Sequence, residues 1–276
     1  MKVWFLAVFV FLGVNSSTHA EDNFPQRIIS LGPSLTRELY LLGVEDRLVG
    51  NTIYCGQPPD AQKKEKVGTV TKLNLEKIMT LKPDLVLTTP LTNHEQVEKL
   101  KNLGIRVTTF SAARSFSQIC DQFLELGRIV GKEKEAGKIV QKAKLKVSSI
   151  QQRIKGLQEP KVLAQIGAKP LWVATKDSFI NDFIKLAGGA NIGPSGKSGL
   201  YSREKVLEQN PDIIIIVTMG IVGEKERKIW RKYKTLNAVK NDRIHIVDSY
   251  KVCSPTAVSF VEVLEEIVGL IHVKVE

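Results

Sequence analysis

Two α/β lobes joined by one long helix are the fold class this sequence predicts, and three observations carry the prediction. A stretch of the first half returns in the second. Asn74–Leu87 recurs as Ser202–Ile215, with Glu76 matched to Glu204, Lys77 to Lys205, Pro83 to Pro211 and Asp84 to Asp212, each pair 128 positions apart. Short apolar runs rich in Val and Ile alternate with amphipathic segments throughout the chain, the pattern of strand–helix units. Between the halves, Lys132–Gly156 is polar but carries an apolar line at Ala136, Ile139, Val140, Ala143, Val147, Ile150 and Ile154, which is helical spacing.

Met1–Ala20 has a short basic start at Lys2, an apolar run over Val3–Val14 and a polar end at Thr18-His19-Ala20, with small residues at the −3 and −1 positions. These are the three parts of a cleavable export signal. The apolar run of about twelve residues is too short to span a bilayer, which needs roughly 20. No cysteine follows the run, so the mature protein is expected to be exported, soluble and not lipid-anchored.

The first lobe, residues 21–131, is expected to hold strands at Arg27–Leu31, Leu48–Thr52, Leu85–Thr89 and Ile105–Phe110, with helices near Thr36–Leu42, Asn74–Leu81 and His94–Leu103. In the repeated unit a polar residue and a Glu open a short helix, as N-cap and first-turn acid. Pro then stops the helix, and Asp leads into a continuous β-branched run, the mark of a strand buried on both faces of a parallel sheet. Residues 132–156 form the linking helix, roughly 37 Å long at 1.5 Å per residue. The second lobe, residues 157–276, repeats the alternation with strands at Lys161–Ile166, Trp172–Thr175, Ile213–Val217 and Ile244–Val247. Its helices fall near Phe179–Ala187, Ser202–Gln209 and Thr256–Ile271, so both lobes are Rossmann-like.

The 276 residues are 43% hydrophobic and 25% charged, which excludes a disordered or fibrous chain. Three cysteines exclude a disulfide framework. Cys120 falls on the apolar stripe of Phe116, Ile119, Phe123, Leu126 and Val130 and is expected in the core. The net charge of +11 does not gather into a nucleic-acid footprint: much of it lies in Lys132–Lys146 and Lys225–Lys234, which read as solvated helix faces. No nucleophile elbow, phosphate loop or two-histidine metal motif is present, and Gly193–Gly199 lacks Walker spacing and reads as a flexible loop.

Several blocks then line up in order: Arg27–Thr36, Val49–Ala61, Lys66–Thr69, Asn74–Leu87, Ala187–Ile192, Ser202–Ile215 and Cys253–Pro255. Together they resemble the helical-backbone (class III) periplasmic substrate-binding proteins of ABC importers, which carry vitamin B12, ferric siderophores and haem. The resemblance implies a ligand cleft between the lobes and a backbone helix joining them. It also implies a monomer with no intrinsic cofactor and no directly bound metal, handing a metal chelate to an ABC permease dimer driven by cytoplasmic ATPase subunits. In that family an acidic residue on each lobe pairs with permease arginines, and the matching positions are Glu76 and Glu204. Both are also favourable first-turn acids in their own right.

Cleft contacts are expected from loops at the facing sheet edges. The first lobe offers Ser34, Tyr54, Cys55, Val70, Thr71, Pro90 and His94; the second offers Trp172, Tyr250, Lys251 and Cys253. Aromatic faces suit a flat macrocycle, and Tyr, His or Cys could reach a chelated metal. Trp172 reads equally as strand-edge packing, Cys55 and Cys253 as unpaired loop thiols, and His94 as a polar helix start. The positions where B12-binding members carry tryptophan hold Val70, Thr89-Pro90 and Ser198–Tyr201, which points away from cobalamin itself. A free metal ion is not expected, because His94, His245 and His272 are scattered. Two rival classes stay open: an exported enzyme on the same lobes, and a sensory or scaffold protein that docks but binds no ligand.

Overall fold

Runs of β-branched residues that are buried on both faces pair edge to edge, and here they build two separate sheets. The computed structural model describes residues 24–218 and 223–272, so the expected leader Met1–Ala20 lies outside the described residues. In the first sheet β1 (Ile28–Ser30), β2 (Leu48–Asn51), β3 (Glu65–Lys66), β4 (Leu85–Thr88) and β5 (Val107–Thr109) run in the order β3-β2-β1-β4-β5. All its pairings are parallel. Helices α1 (Pro33–Leu41), α2 (Leu75–Thr80) and α3 (His94–Asn102) connect these strands. Then α4 (Phe116–Ile129) and α5 (Glu133–Arg153) lead to the second lobe.

The second sheet centres on β6 (Lys161–Gly167). Strand β9 (Ile213–Val217) lies parallel to β6, and β10 (Ile244–Val247) parallel to β9. On the other side of β6, β7 (Trp172–Val173) pairs antiparallel near its end and β8 (Ala190–Asn191) parallel near its start. Around it lie α6 (Phe179–Leu186), α7 (Arg203–Gln209), α8 (Gly223–Trp230), α9 (Asn237–Lys240), α10 (Ser249–Val252) and α11 (Ala257–Ile271).

The repeated sequence does the same work in both lobes. Asn74 Oδ1 accepts the Lys77 amide at 2.9 Å to cap α2, and Ser202 Oγ accepts the Lys205 amide at 3.2 Å to cap α7. Each unit leaves its helix through a left-handed residue, Lys82 at φ 45° and Asn210 at φ 46°, directly before Pro83 and Pro211. The aspartates then pin the start of the lobe's own central strand. Asp84 accepts the amides of Gln26 and Arg27 at 2.7 and 3.0 Å, and Asp212 accepts that of Lys161 at 2.9 Å. The identities therefore mark helix start, helix stop and strand anchorage.

Helix α5 does not bridge the lobes alone. Its apolar line of Ala136, Val140, Ala143, Val147 and Ile150 is buried, and both α4 and α11 pack along it. One continuous core runs from Leu35, Leu39 and Leu85 in the first lobe to Val162, Phe183 and Ile215 in the second. At its middle Phe260 of α11 stacks on Phe183 of α6 with centroids 3.9 Å apart and meets Phe116 of α4 at 4.8 Å. Cys120 is fully buried there, and burial pushes its thiol up to about 11.

The charged stretch Lys225–Lys234 departs from its expected role as a solvated face. Trp230 is completely buried within it, donating to Gln165 Oε1 at 2.6 Å while the Arg203 guanidinium lies 4.4 Å over the ring. Glu226 is also buried, accepting from Arg203 at 2.8 Å and from Gln165 at 2.9 Å. The lysines are solvated, but the residues one helical turn apart between them close a polar network under the sheet.

Glu38 of α1 is 5% exposed, and burial pushes its carboxyl up to about 8 against the opposing pull of the Arg37 charge. A carboxyl that binds its proton more tightly folded than unfolded favours the folded state fully below its unfolded pKa, near 4.5. That contribution is lost as pH rises from there through about 8. Glu38→Gln is therefore expected to flatten the fall in stability between those two pH values. The difference to be recovered at pH 8 is of order several kcal/mol, checked by urea melts across the range.

Candidate functional site

In parallel sheets the loops after each strand gather at the carboxyl edge, and ligands settle there where the strand order reverses. In the first lobe that reversal falls between β1 and β4. The start of α1 directly after β1 and the Thr89–Leu91 turn after β4 therefore flank it, joined by the loops after β2 and β3. In the second lobe the matching edge carries the 168–171 turn, Trp172 and the start of α10.

The two edges meet at Tyr250. Asp248 caps α10 by accepting the Tyr250 amide at 2.9 Å, which fixes the tyrosine at the first turn. The Tyr250 hydroxyl donates to the Tyr54 carbonyl at 2.6 Å and accepts from the Gly56 amide at 2.9 Å. A side chain of the second lobe thus closes the loop after β2 of the first, and its oxygen is fully committed. Beside it Pro33, Arg37, Tyr54, Ser249, Tyr250, Cys253 and Ser254 line a cavity of about 130 Å³.

The residues expected in the cleft divide. Tyr54, Tyr250 and Cys253 come together around this cavity. Ser34 is half-buried in the first turn of α1, Val70 is half-buried and Thr71 exposed in the loop after β3, and Pro90 and His94 are exposed on the β4–α3 side. None of these five lines the Tyr250 cavity. Lys251 turns to Glu266 at 2.9 Å. Trp172 is 39% exposed, seated on Gly167 and bridged to Leu200.

The sulfur atoms offer little to a ligand. Cys55 is completely buried, its Sγ 3.3 Å from Thr52 Oγ1, so its loop position does not bring it to the surface. Both Cys55 and Cys253 are free thiols. Burial pushes the Cys253 thiol up to about 11, which leaves it protonated at neutral pH and a poor soft donor. Among the described residues no cluster of His, Cys, Asp and Glu could hold a metal ion, and no helix is long and apolar enough to cross a membrane.

What the edges do present is apolar surface. Ile53 and Tyr54 are 55% and 51% exposed, Leu91 is 71%, Leu200 is 54% and Tyr250 is 40%. Leu103, Leu145 and Leu157 are comparably open elsewhere, so it is the placement of these side chains on the loops at the sheet edges, not their exposure, that sets them apart. Glu76 and Glu204 stand exposed in the first turns of α2 and α7, helices that begin at these same edges. The Glu204 carboxyl is held below the ordinary range by hydrogen bonds from its own amide and from Ser202.

Residues that the sequence reading left unassigned also lie here. Arg37, Gln57, Ser259 and Glu262 line two further cavities of about 340 Å³ each on the α1–α11 side. Arg37 shares its helix face with Pro33, Ser34, Tyr40 and Leu41, opposite the buried Leu35 and Leu39, so the sequence alone reads it as an ordinary cation on the outer face of α1.

Two α/β lobes, one on a parallel and one on a largely parallel sheet, joined through α5, define the class of two-lobed binding-protein folds. Residues 28–250 match the family described as periplasmic binding protein, and the chain belongs to it. It is 32% identical over 254 residues, 88% of this chain and 79% of the relative, to the ABC transporter substrate-binding lipoprotein YvrC of Bacillus subtilis. Among solved structures it resembles the periplasmic vitamin B12 binding protein BtuF of Vibrio cholerae, with TM-score 0.78 and 25% identity, covering 90% of this chain and 96% of that one. It also resembles a possible iron-binding (periplasmic solute-binding) protein of Staphylococcus epidermidis, with TM-score 0.80 and 30% identity, covering 90% and 99%. These relatives are binding proteins, not enzymes. YvrC is a lipoprotein, which stands against the expectation of an unanchored mature chain; the segment concerned lies outside the described residues.

Proposed function

We propose that this protein is the exported receptor of an ABC importer, holding a largely flat metal chelate between its lobes and presenting it to a membrane permease through Glu76 and Glu204. The observation that carries the reading is the set of open apolar side chains, Ile53, Tyr54, Leu91, Trp172 and Leu200, on the facing loops. A macrocycle or an aryl-rich chelate buries such faces well. The committed Tyr250 hydroxyl and the protonated Cys253 thiol favour a metal already wrapped by its chelator over one ligated by the protein. Export with cleavage after Ala20 belongs to this reading, and N-terminal sequencing of the secreted protein should begin at Glu21.

Titration of the mature protein with haemin, cobalamins and ferric siderophores, followed by thermal midpoint, tests the ligand class. A chelate at 100 times its Kd stabilises by about 2.7 kcal/mol, and a panel that leaves the midpoint unmoved refutes the chelate reading. For the chelate that binds, Trp172→Ala is expected to raise Kd by about 10- to 100-fold, the effect of losing a central aromatic contact. An unchanged Kd would return Trp172 to strand-edge packing.

A further inference from the structure

Among the described residues, Arg37 holds two buried guanidinium nitrogens without a hydrogen-bond partner. Arg37 lines every one of the cavities described above, yet its Nε and Nη2 are sealed from solvent with no acceptor. Those two nitrogens share one edge of the guanidinium, the edge that grips a carboxylate with two parallel hydrogen bonds. Across the cavity, on the α11 side, stands Glu262, which forms no ion pair among the described residues. Its neighbours Glu265 and Glu266 are paired, with Arg153 and Lys251. Arg37 and an acid without an ion pair therefore line one cavity of about 340 Å³ together with Gln57, Asp248, Tyr250, Lys251 and Glu266, a volume within the range of small-molecule sites.

We propose that this cavity binds a small carboxylate bearing an adjacent donor, an α-amino or α-hydroxy acid, with its carboxylate on Arg37 and its donor on Glu262. The walls carry Arg37 and Lys251 against Asp248, Glu262 and Glu266, so a multiply charged anion such as phosphate meets repulsion while a ligand with its own donor matches both ends. In the structure that edge is turned away from the open space, so binding requires the Arg37 side chain to turn it toward the cavity. Trp172, Leu91 and Leu200 line none of these walls, so the site lies beside the apolar cleft, sharing Tyr250 with it, and does not depend on the chelate reading. Because Arg37 and Gln57 belong to the first lobe and Lys251 and Glu262 to the second, an occupant ties the lobes together.

The test is the thermal midpoint of the full mature protein titrated with glycine, L-serine, L-lactate, acetate, methylammonium and inorganic phosphate. A saturable rise is expected with the amino acids or with lactate, and which of these acts identifies the donor as ammonium or hydroxyl. Acetate should bind at least tenfold more weakly, and methylammonium and phosphate should give no rise. Arg37→Met should weaken the active probe at least tenfold. Arg37→Lys, which keeps the charge and loses the fork, should also weaken it, so the result does not hang on one variant. Glu262→Gln should erase the preference over acetate. No saturable rise with glycine, serine or lactate overturns the proposal, as does an equal rise in both Arg37 variants or tighter binding of phosphate. A protein in which Arg37 simply awaits Glu262 would show no ligand response, and its single and double variants would melt alike, which also overturns it.

Discussion

Glu76→Arg combined with Glu204→Arg is expected to abolish delivery to the permease while leaving chelate affinity within about twofold. Both side chains are exposed, both stand one residue inside a capped helix start, and neither lines a cavity around Tyr250 or Arg37. Substitution there removes favourable first-turn acids, at a stability cost of roughly 0.3–1 kcal/mol each. In the proposed docking against permease arginines, however, the reversal would replace attraction with like-charge contact, which costs several kcal/mol. Uptake by cells and chelate titration of the purified variant separate the two effects. Uptake that survives the double reversal would remove both acids from the docking role, and a chelate affinity that falls with it would place them in the ligand site instead.

The second large effect is structural. Phe260→Ala empties the centre of an aromatic stack joining α4, α6 and α11, where Phe260 is completely buried. Truncating a buried phenylalanine costs about 3–5 kcal/mol. At about 2–4 °C per kcal/mol for a chain of this size, the melting midpoint should fall by roughly 6–20 °C. Hydrogen exchange should rise on both lobes together, because the core is continuous through this ring. Exchange confined to the second lobe would mean that the lobes melt independently.

The parts of the fold legible in the sequence were those with a local physical signature. Strands β4 and β9 announce themselves because burial on both faces leaves no polar alternation to confuse with a helix. The repeat was legible because caps, left-handed exits and strand-anchoring aspartates demand particular residues at fixed spacing. Strands β3 and β8 have two residues each, and helices α9 and α10 four, too short for any periodicity to register. Helix α1 begins at Pro33, three residues before the expected Thr36, because proline suits the first helical turn, where its missing N–H has no partner to lose.

The site was less legible because its residues meet only through the packing of the lobes. Tyr250 and Tyr54 stand 196 positions apart and share one hydrogen bond. Cys55 sits in the same loop as Tyr54, yet one side chain points into the protein and the other out of it. Composition does not record that difference. Trp230 hides in a run of lysines because its partners, Gln165 and Arg203, come from elsewhere in the chain.

On the proposed reading, the unbroken core beneath the cleft would make the receptor a caliper with a fixed jaw. If the spacing between the two lobes barely changes, an empty and a loaded receptor present Glu76 and Glu204 to the membrane at the same separation. The transporter then has no mechanical gauge of cargo and must sense it at the mouth of the cleft. On that reading, prying the jaws apart to release that cargo would be work for the ATP-driven machine, not for the carrier.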